Sequence, residues 1–192
     1  MDFFNQAYKG SPPWDIGRPQ KVFVELVRNG EITGSVLDIG CGTGEHALFF
    51  AAEGHEVWGI DSAPLAIGKA EEKASERGLH VHFLVHNVLE LATLGRRFDT
   101  ATDSGLFHTL SDEYRPVFVE NLASALVPGG KYFMLCFSDL EPPGYGPRRI
   151  SREEIRENFR DGWTINYIRE ARFESRTRPE GPKAWLSSIT RE

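Results

Sequence analysis

The sequence has few cysteines, no long apolar run and no excess of positive charge, and each absence argues against a class of protein. Cys41 and Cys136 are the only cysteines in 192 residues. Two are too few for a disulfide-stabilised scaffold, so we expect buried free thiols in a reducing compartment. The longest apolar runs are far shorter than a bilayer span, and residues 1–15 lack the basic start and apolar stretch of a signal peptide. We therefore expect a cytoplasmic protein without a membrane partner.

Charge and length narrow the possibilities further. A formal net charge of −6 gives no basic surface for a phosphate backbone, which argues against nucleic acid as a partner. The chain can bury one good core and has no surplus for a second, so we expect a single domain over residues 1–192. Residues 1–30 are expected to form an N-terminal cap segment and helix, and residues 35–192 the ligand-binding core, in a monomer or a homodimer.

Short apolar runs alternate with helical patterns along the chain, which is typical of strand–helix–strand units and a parallel sheet. The strands are predicted at 35–40, 56–61, 82–87, 98–104 and 131–139, and the helices at about 19–29, 45–53, 64–77 and 112–126. Pro and two glycines in "VPGG" (127–130) are expected to end the last of these helices and turn the chain. Ser151 and Glu154 have the spacing of a capping box, which predicts one more helix.

Two final strands are predicted around residues 163–175 and 184–191. About eight residues separate them, and a parallel crossover needs roughly a dozen or more. They should therefore form an antiparallel hairpin at the edge of the sheet.

Three glycines at every second position follow the first predicted strand, in "VLDIGCGTGEH" (36–46). Gly40, Gly42 and Gly44 fall on the first turn from strand to helix, where a parallel sheet binds its ligands. Without β-carbons the backbone there can take positive φ and approach a ligand closely. This turn is the predicted binding site.

Two carboxylates indicate which ligand the turn binds. Glu45 occupies the place of the third glycine in a dinucleotide motif, and Asp38, two residues before Gly40, would repel a pyrophosphate. Asp61 ends the second strand, where an acid accepts hydrogen bonds from both hydroxyls of a ribose. Together the acids describe a ligand with an ammonium at one end and an unphosphorylated ribose at the other, and S-adenosylmethionine has that form.

The chain resembles the class I S-adenosylmethionine-dependent methyltransferases, in the small-molecule branch that includes thiopurine and tellurite-resistance methyltransferases. The segments that carry the resemblance are "VLDIGCGTG" (36–44), "GIDSAP" (59–64), "FDTATDSGLFHTL" (98–110) and "LVPGGKYFMLCFSD" (126–139), with "PPWDIGRPQ" (12–20) and "AWLSSITR" (184–191) similar to the small-molecule branch in particular. The resemblance implies an α/β, doubly wound, Rossmann-like fold. Its seven-stranded sheet would be mostly parallel, in the order 3-2-1-4-5-7-6 with strand 7 antiparallel.

The resemblance also implies a set of residues around the cofactor S-adenosylmethionine. They are Trp14 in a lid, Asp38, Gly40, Cys41, Gly42 and Gly44 at the methionine moiety, Asp61 and Ser62 at the ribose and adenosine, Asn87 and Val88 at the adenine, and Asp103 and Ser104 beside the sulfonium. The fourth strand ends without the Asn-Pro-Pro-aromatic signature of nucleobase methyltransferases. This departure agrees with the acidic charge in arguing against nucleic acid.

The acceptor side is predicted from the same segments. Arg18, Phe107 and His108 are expected to bind the acceptor, with the loop 141–149 as a second wall, although Arg148 and Arg149 there are expected to be solvated. His108 is the candidate general base, and the alternative is that it caps or packs the start of the next helix. A base is needed only where the acceptor must lose a proton, because methyl transfer depends mainly on alignment.

The roles of four further histidines are also predicted from their positions. His46 is expected on the surface of the first helix of the core or in a subsite of the pocket. His80, His82 and His86 alternate along the third strand, but no acid or cysteine joins them, so no metal site is predicted.

The predicted function is methyl transfer from S-adenosylmethionine to a small aromatic or heterocyclic acceptor at oxygen, nitrogen or sulfur. Two alternatives remain at this point. One is an NAD(P)-dependent oxidoreductase on a similar sheet, and the other is a non-catalytic binder of S-adenosylmethionine.

Overall fold

The computed structural model describes residues 2–144 and 146–192. The helices are α1 (Asp2–Ala7), α2 (Lys21–Arg28), α3 (Glu45–Ala52), α4 (Pro64–Arg77), α5 (Tyr114–Ala125) and α6 (Arg152–Asn158). The strands are β1 (Val36–Ile39), β2 (Val57–Asp61), β3 (His82–Val85), β4 (Phe98–Ser104), β5 (Leu126–Phe137), β6 (Trp163–Arg172) and β7 (Lys183–Arg191). Short 3₁₀ segments at Val88–Leu94 and Phe107–Thr109 follow β3 and β4.

The strands form one sheet in the order β3-β2-β1-β4-β5-β7-β6, as the resemblance implied. The pairings among the first five strands are parallel. Strand β7 runs antiparallel to both β5 and β6, which confirms the predicted terminal hairpin. The carboxyl ends of β1, β2 and β4 therefore meet at one edge of the sheet, and the first strand-to-helix turn lies there.

Apolar side chains fill both faces of the sheet. Along β5, Tyr132, Met134 and Cys136 contribute to the hydrophobic cluster on one face, whereas Phe133 and Leu135 contribute to the cluster on the other. This alternation has the two-residue period of a strand, and burial on both faces is what a parallel sheet covered by helices requires. Both cysteines are buried and free.

Three local features differ from the sequence-based prediction. Helix α1 was not predicted, and neither were the two 3₁₀ segments. Strand β5 begins at Leu126, inside the expected turn, since Phe98 pairs with Leu126 and the next pair is Thr100 with Lys131. Residues 127–130 thus form a bulge within the strand, in which Gly129 takes a φ of 81°.

The predicted capping box is present at the start of α6. The hydroxyl of Ser151 accepts from the backbone N–H of Glu154 at 3.1 Å, and the Glu154 carboxylate accepts from the Ser151 N–H at 2.8 Å. In the described part of the chain, no helix combines the length and apolar character that crossing a membrane requires.

Candidate cofactor and acceptor site

The turn between β1 and α3 takes a backbone conformation that favours glycine. Gly40, Gly42 and Gly44 have φ angles of 68°, 55° and 83°, a region that side-chain-bearing residues rarely enter. A β-carbon on Gly42 would lie 2.6 Å from the hydroxyl oxygen of Tyr8. The backbone of the turn is therefore held close to the N-terminal segment, and the space above it suits a ligand.

Asp61 ties this turn to the end of β2. Its Oδ2 accepts from the Gly42 N–H at 2.9 Å, and its Oδ1 accepts from the Ala63 N–H at 2.8 Å. Burial raises the pKa of Asp61 above its usual value, while these backbone hydrogen bonds oppose the rise. Each oxygen keeps a second lone pair, so the carboxylate can still accept from a pair of hydroxyls.

Asp38 lies beneath the turn with one oxygen unsatisfied. Its Oδ1 accepts from the Thr102 hydroxyl at 2.9 Å, and its Oδ2 has no hydrogen-bond partner among the described residues. Burial, supplemented by the nearby charge of Asp103, raises the pKa of Asp38 to about 7 in spite of the Thr102 bond. A buried orphan acceptor of this kind fits a cationic ligand better than a diphosphate.

Asp103 faces the interior of the turn after β4 rather than the ligand side. Its carboxylate accepts from Leu106 N at 2.6 Å, Phe107 N at 2.9 Å and the Tyr132 hydroxyl at 2.8 Å. Burial raises the pKa of Asp103 to about 6, opposed by these donors. The residue fixes the position of Ser104, which does reach the pocket.

A pocket opens over the glycine turn at the carboxyl edge of the sheet. The predicted residues that line it are Trp14, Arg18, Gly40, Cys41, Gly42 and Ser104, together with Tyr8, Asp15, Ile16 and Gln20 of the predicted N-terminal cap segment. The residues that sequence reasoning had not assigned to it are Thr43, Glu45 and Phe173. His46 also lines it. Phe173 comes from the end of the terminal hairpin, and no local signal in the sequence marks it.

Nine of the residues expected at the ligand lie outside this lining: Asp38, Gly44, Asp61, Ser62, Asn87, Val88, Asp103, Phe107 and His108. Val88 belongs to the hydrophobic core. Asn87 instead caps the first 3₁₀ segment, its Oδ1 accepting from Leu89 N at 3.1 Å. Phe107 has no exposed surface and packs in the core against Phe159, with ring centroids 5.9 Å apart.

His108 is buried in an aromatic wall formed by His108, Phe137 and Phe173. Its ring centroid lies 4.9 Å from that of Phe137 and 5.9 Å from that of Phe173. The backbone N–H of Phe137 donates to its Nδ1 at 3.0 Å, so the neutral ring carries its proton on Nε2. Burial lowers the pKa of His108 to about 3, aided by the charges of Arg115 and Arg149.

His46, which lines the pocket, is held as a neutral ring. The Gln20 N–H donates to its Nε2 at 3.0 Å, which places the ring proton on Nδ1. Burial lowers the pKa of His46 to about 4, although the Glu45 carboxylate acts to raise it. His46 and His108 therefore each keep one ring N–H as a donor.

The N-terminal segment is fastened over the turn by side chains from distant elements. The Thr43 hydroxyl donates to Asp15 at 2.9 Å, and the Trp14 indole N–H donates to the Tyr8 hydroxyl at 3.1 Å. Lys69 of α4 donates to the carbonyl of Tyr8 at 2.6 Å. These bonds hold the segment as one wall of the pocket.

Glu45, which stands in the third-glycine place, anchors α3 to α4. Its carboxylate binds Lys73 at 2.7 Å and Arg77 at 3.0 Å through both oxygens. Burial alone would raise the pKa of Glu45, but the hydrogen bonds from Arg77 and Lys73 outweigh it and hold the pKa below its usual value. The ion pairs therefore favour the folded state wherever Glu45 is ionised.

We expect Glu45→Gln to lower the free energy of unfolding at neutral pH by about 1–2 kcal/mol, since it breaks hydrogen bonds to charged groups. Because the folded pKa is depressed, the wild-type advantage is present above the usual glutamate pKa and disappears as the pH falls through the folded value. Urea denaturation at neutral and at acidic pH measures the loss of stability and its dependence on pH. Glu25→Gln, which removes the loose pair with Lys21 at 4.0 Å, should change stability by less than about 0.5 kcal/mol. If wild-type protein and Glu45→Gln still differed in free energy of unfolding at acidic pH, the stabilising role of the ionised Glu45 would be contradicted.

His80 and His82 stack edge to face, with ring centroids 4.8 Å apart. The described residues hold no group of three or more His, Cys, Asp or Glu side chains that could bind a metal ion.

Comparison with known proteins agrees with the ligand that the geometry favours. A model of the methyltransferase domain matches residues 36–130. A 2-heptyl-1-hydroxyquinolin-4(1H)-one methyltransferase of Mycobacteroides abscessus is 38% identical over 183 residues, covering 90% of this chain and 81% of the relative.

Solved structures extend the likeness over nearly the whole chain. One, described as "Conversion of a Disulfide Bond into a Thioacetal Group during Echinomycin Biosynthesis", is 37% identical with a TM-score of 0.89 and covers 98% of this chain and 91% of that one. Magnesium protoporphyrin IX methyltransferase from Synechocystis PCC 6803 with bound SAH shares the fold at 22% identity and a TM-score of 0.68, covering 98% of this chain and 83% of that one.

The sheet order and the glycine turn are those of the Rossmann-like methyltransferase fold. The chain belongs to the class I S-adenosylmethionine-dependent methyltransferases, and S-adenosylmethionine is its cofactor. The alternative of an NAD(P)-dependent oxidoreductase is thereby excluded.

Proposed function

We propose that the protein transfers a methyl group from S-adenosylmethionine to a small aromatic or heterocyclic molecule at an oxygen, nitrogen or sulfur atom. The observation that carries the proposal is the composition of the pocket, in which Trp14 of the N-terminal segment and Phe173 of the terminal hairpin lie on the lining with the glycine turn. Aromatic walls of this kind favour flat acceptors.

The residues proposed to hold the cofactor include two buried acids at the glycine turn. Asp61 would accept from the ribose hydroxyls, and the unpaired oxygen of Asp38 would be satisfied by the amino group of the methionine moiety, directly or through water. The cofactor supplies a methyl group already activated by its sulfonium charge. The protein's part is to align the acceptor and exclude water, which can supply about 7–11 kcal/mol in favourable cases.

A relative supports the class of acceptor. The 38% identical protein of Mycobacteroides abscessus is named for methylation of a hydroxyquinolinone, which is a flat heterocycle. The likeness covers 90% of this chain.

The test is a panel of phenols, thiols, N-hydroxy heterocycles and N–H heterocycles, assayed for release of S-adenosylhomocysteine. We expect turnover of at least one flat acceptor and none of single-stranded DNA or RNA. Calorimetric titration with S-adenosylhomocysteine and with NAD serves as the control, and only the former should bind. Tight binding of the cofactor product without turnover of any acceptor would contradict the proposed function and favour the non-catalytic binder.

A further inference from the structure

The charged groups at the glycine turn differ in sign from those behind the aromatic wall. Asp38 and Asp61 lie at the glycine turn, where a cationic cofactor fits. The aromatic wall instead is backed by two guanidinium groups, Arg115 from α5 and Arg149 from the loop after β5, and both act electrostatically on His108. An acceptor bound against this wall would meet a positive environment.

The charge of Arg115 is compensated locally. Its guanidinium pairs with Asp112 at 3.0 Å and approaches Glu154 at 3.6 Å, and Arg148 pairs with the same two acids. Two cations and two carboxylates thus form a balanced cluster. Arg115 also packs against the ring of Phe107 at 5.2 Å, which holds the residue next to His108 in place.

The charge of Arg149 is not compensated in the same way. Its guanidinium donates to the carbonyls of Pro147 at 2.6 Å and Pro142 at 2.8 Å, and within the described residues it forms no ion pair. Its Nε is buried without a partner. Glu141, which interacts electrostatically with Arg149, is already engaged by Arg178 and by the Lys183 N–H. Arg149 was expected to be solvated, whereas the structure places it 5.8 Å from the ring of Phe137.

His108 is oriented as a donor in this wall. Its Nδ1 is occupied by the Phe137 N–H, and its Cε1 and Nε2 face Gly105, 3.4 and 3.6 Å from where a β-carbon of that residue would lie. Gly105 follows Ser104, which lines the pocket. No described residue accepts from the Nε2–H, so this N–H is free for the acceptor.

No carboxylate near His108 is placed to remove a proton. Asp103 of β4 is saturated by three donors, and Asp112 and Glu154 belong to the cluster with Arg115. The Cys136 thiol of β5 is buried, which raises its pKa well above the usual value. A His108 that already carries its proton on Nε2 could act as a base there only by giving up the bond from Phe137.

We propose that the acceptor reaches the enzyme already ionised, as an oxygen or sulfur anion, and that the Nε2–H of His108 and the guanidinium of Arg149 stabilise its negative charge. The proposal rests on the proposed function and names the acceptor class more narrowly. The acceptor loses its proton to solvent before it binds. Its anionic atom then forms the bond to the methyl carbon while the carbon–sulfur bond breaks, the electron pair stays on sulfur, and both charges cancel. No proton passes to the protein, which agrees with the lack of a base.

Ionisation of a bound acceptor can be read directly with nitrophenols, because the phenol and the phenolate absorb at different wavelengths. With the protein saturated by S-adenosylhomocysteine, we expect the pKa of the bound phenol to fall by at least about one unit, a tenfold shift toward the anion. Arg149→Met should reverse about half or more of that shift. Arg152→Met is the matched control, since it removes another guanidinium over an aromatic ring, 4.1 Å from Trp185, and should leave the shift unchanged.

Two variants of His108 separate a donor from a base. Gln keeps an N–H near the Nε2 position, whereas Leu keeps only bulk. We expect Leu to lower kcat/KM by about 10²-fold, the usual loss of one donor to a developing or bound anion, and Gln to retain most of the activity. With wild-type protein, the pH midpoint of kcat/KM should follow the solution pKa of each acceptor in a graded series of phenols and thiophenols.

The outcomes that overturn the proposal are distinct from those that overturn the function. Three results would contradict the proposal of an anionic acceptor. They are a bound phenol whose pKa is unchanged or raised, a pH midpoint that is the same for every acceptor, and an equal loss of kcat/KM in the Gln and Leu variants of His108. A different result is that neutral N–H heterocycles are the only acceptors that bind and turn over, with acidic phenols and thiols doing neither. That result would support the proposed methyl transfer and contradict the proposal of an anionic acceptor. If neither His108 variant folds, the Arg149→Met shift decides. Failure of every acceptor class would overturn the proposed function itself.

Discussion

Asp61→Ala is expected to weaken the binding of S-adenosylhomocysteine by about 1.5–3 kcal/mol, a 10- to 150-fold rise in Kd. The variant lacks the carboxylate that would accept hydrogen bonds from the ribose hydroxyls. The variant would also lose the hydrogen bond of 2.9 Å that the Gly42 N–H donates to Asp61, which links the turn to the end of β2. Isothermal titration calorimetry measures the change directly.

Asp99→Ala is the matched control for this loss. Asp99 also accepts two hydrogen bonds, from the Ser35 N–H at 2.8 Å and the Ser35 hydroxyl at 2.9 Å, but it lies at the start of β4, at the opposite edge of the sheet. Its removal should reduce stability and leave the Kd unchanged. An unaltered Kd in Asp61→Ala would remove Asp61 from the cofactor site.

The sheet could be predicted because each step rests on local pattern. Alternating strand and helix segments imply parallel pairing, and the short link before β7 forces an antiparallel hairpin. The strand order then followed from the resemblance rather than from residue chemistry. The bulge at 127–130 could not be predicted, because proline and glycine in "VPGG" signal a turn equally well, and only the pairing of Leu126 with Phe98 keeps these residues in β5.

The site could be predicted where function depends on backbone, and less well where it depends on side-chain direction. The glycine turn had a local signal in its spacing. The directions in which the side chains of Asp103 and Phe107 point depend on the 3₁₀ segment after β4. No periodic pattern in the sequence predicts the backbone angles of that segment. Phe173 reaches the pocket through the register of β6 with β7, a long-range property. His46, by contrast, follows Glu45 at the start of α3, so its place near the glycine turn could be anticipated from the helix boundary.

Gly44→Ala is expected to lower the free energy of unfolding by about 2–5 kcal/mol, combining the cost of a left-handed residue with overpacking. Gly44 has a φ of 83°, and a β-carbon there would lie 2.8 Å from Cζ of Phe83 and 2.9 Å from Cβ of Ala70. Both neighbours are buried, so neither can move without disturbing β3 or α4. The shifted turn should also weaken binding of S-adenosylhomocysteine. Urea denaturation and calorimetry on the same protein measure the two effects.

Gly68→Ala tests whether this cost comes from position rather than from loss of a glycine. Gly68 lies inside α4, and a β-carbon there would meet nothing within 4 Å. Because alanine favours a helix interior over glycine, this change should stabilise the protein by about 0.5–1 kcal/mol. The two substitutions therefore have opposite expected signs, although they add the same methyl group. If Gly44→Ala also proved neutral or stabilising, the turn would tolerate side chains, and its glycines would not be needed to bring the backbone close to the cofactor.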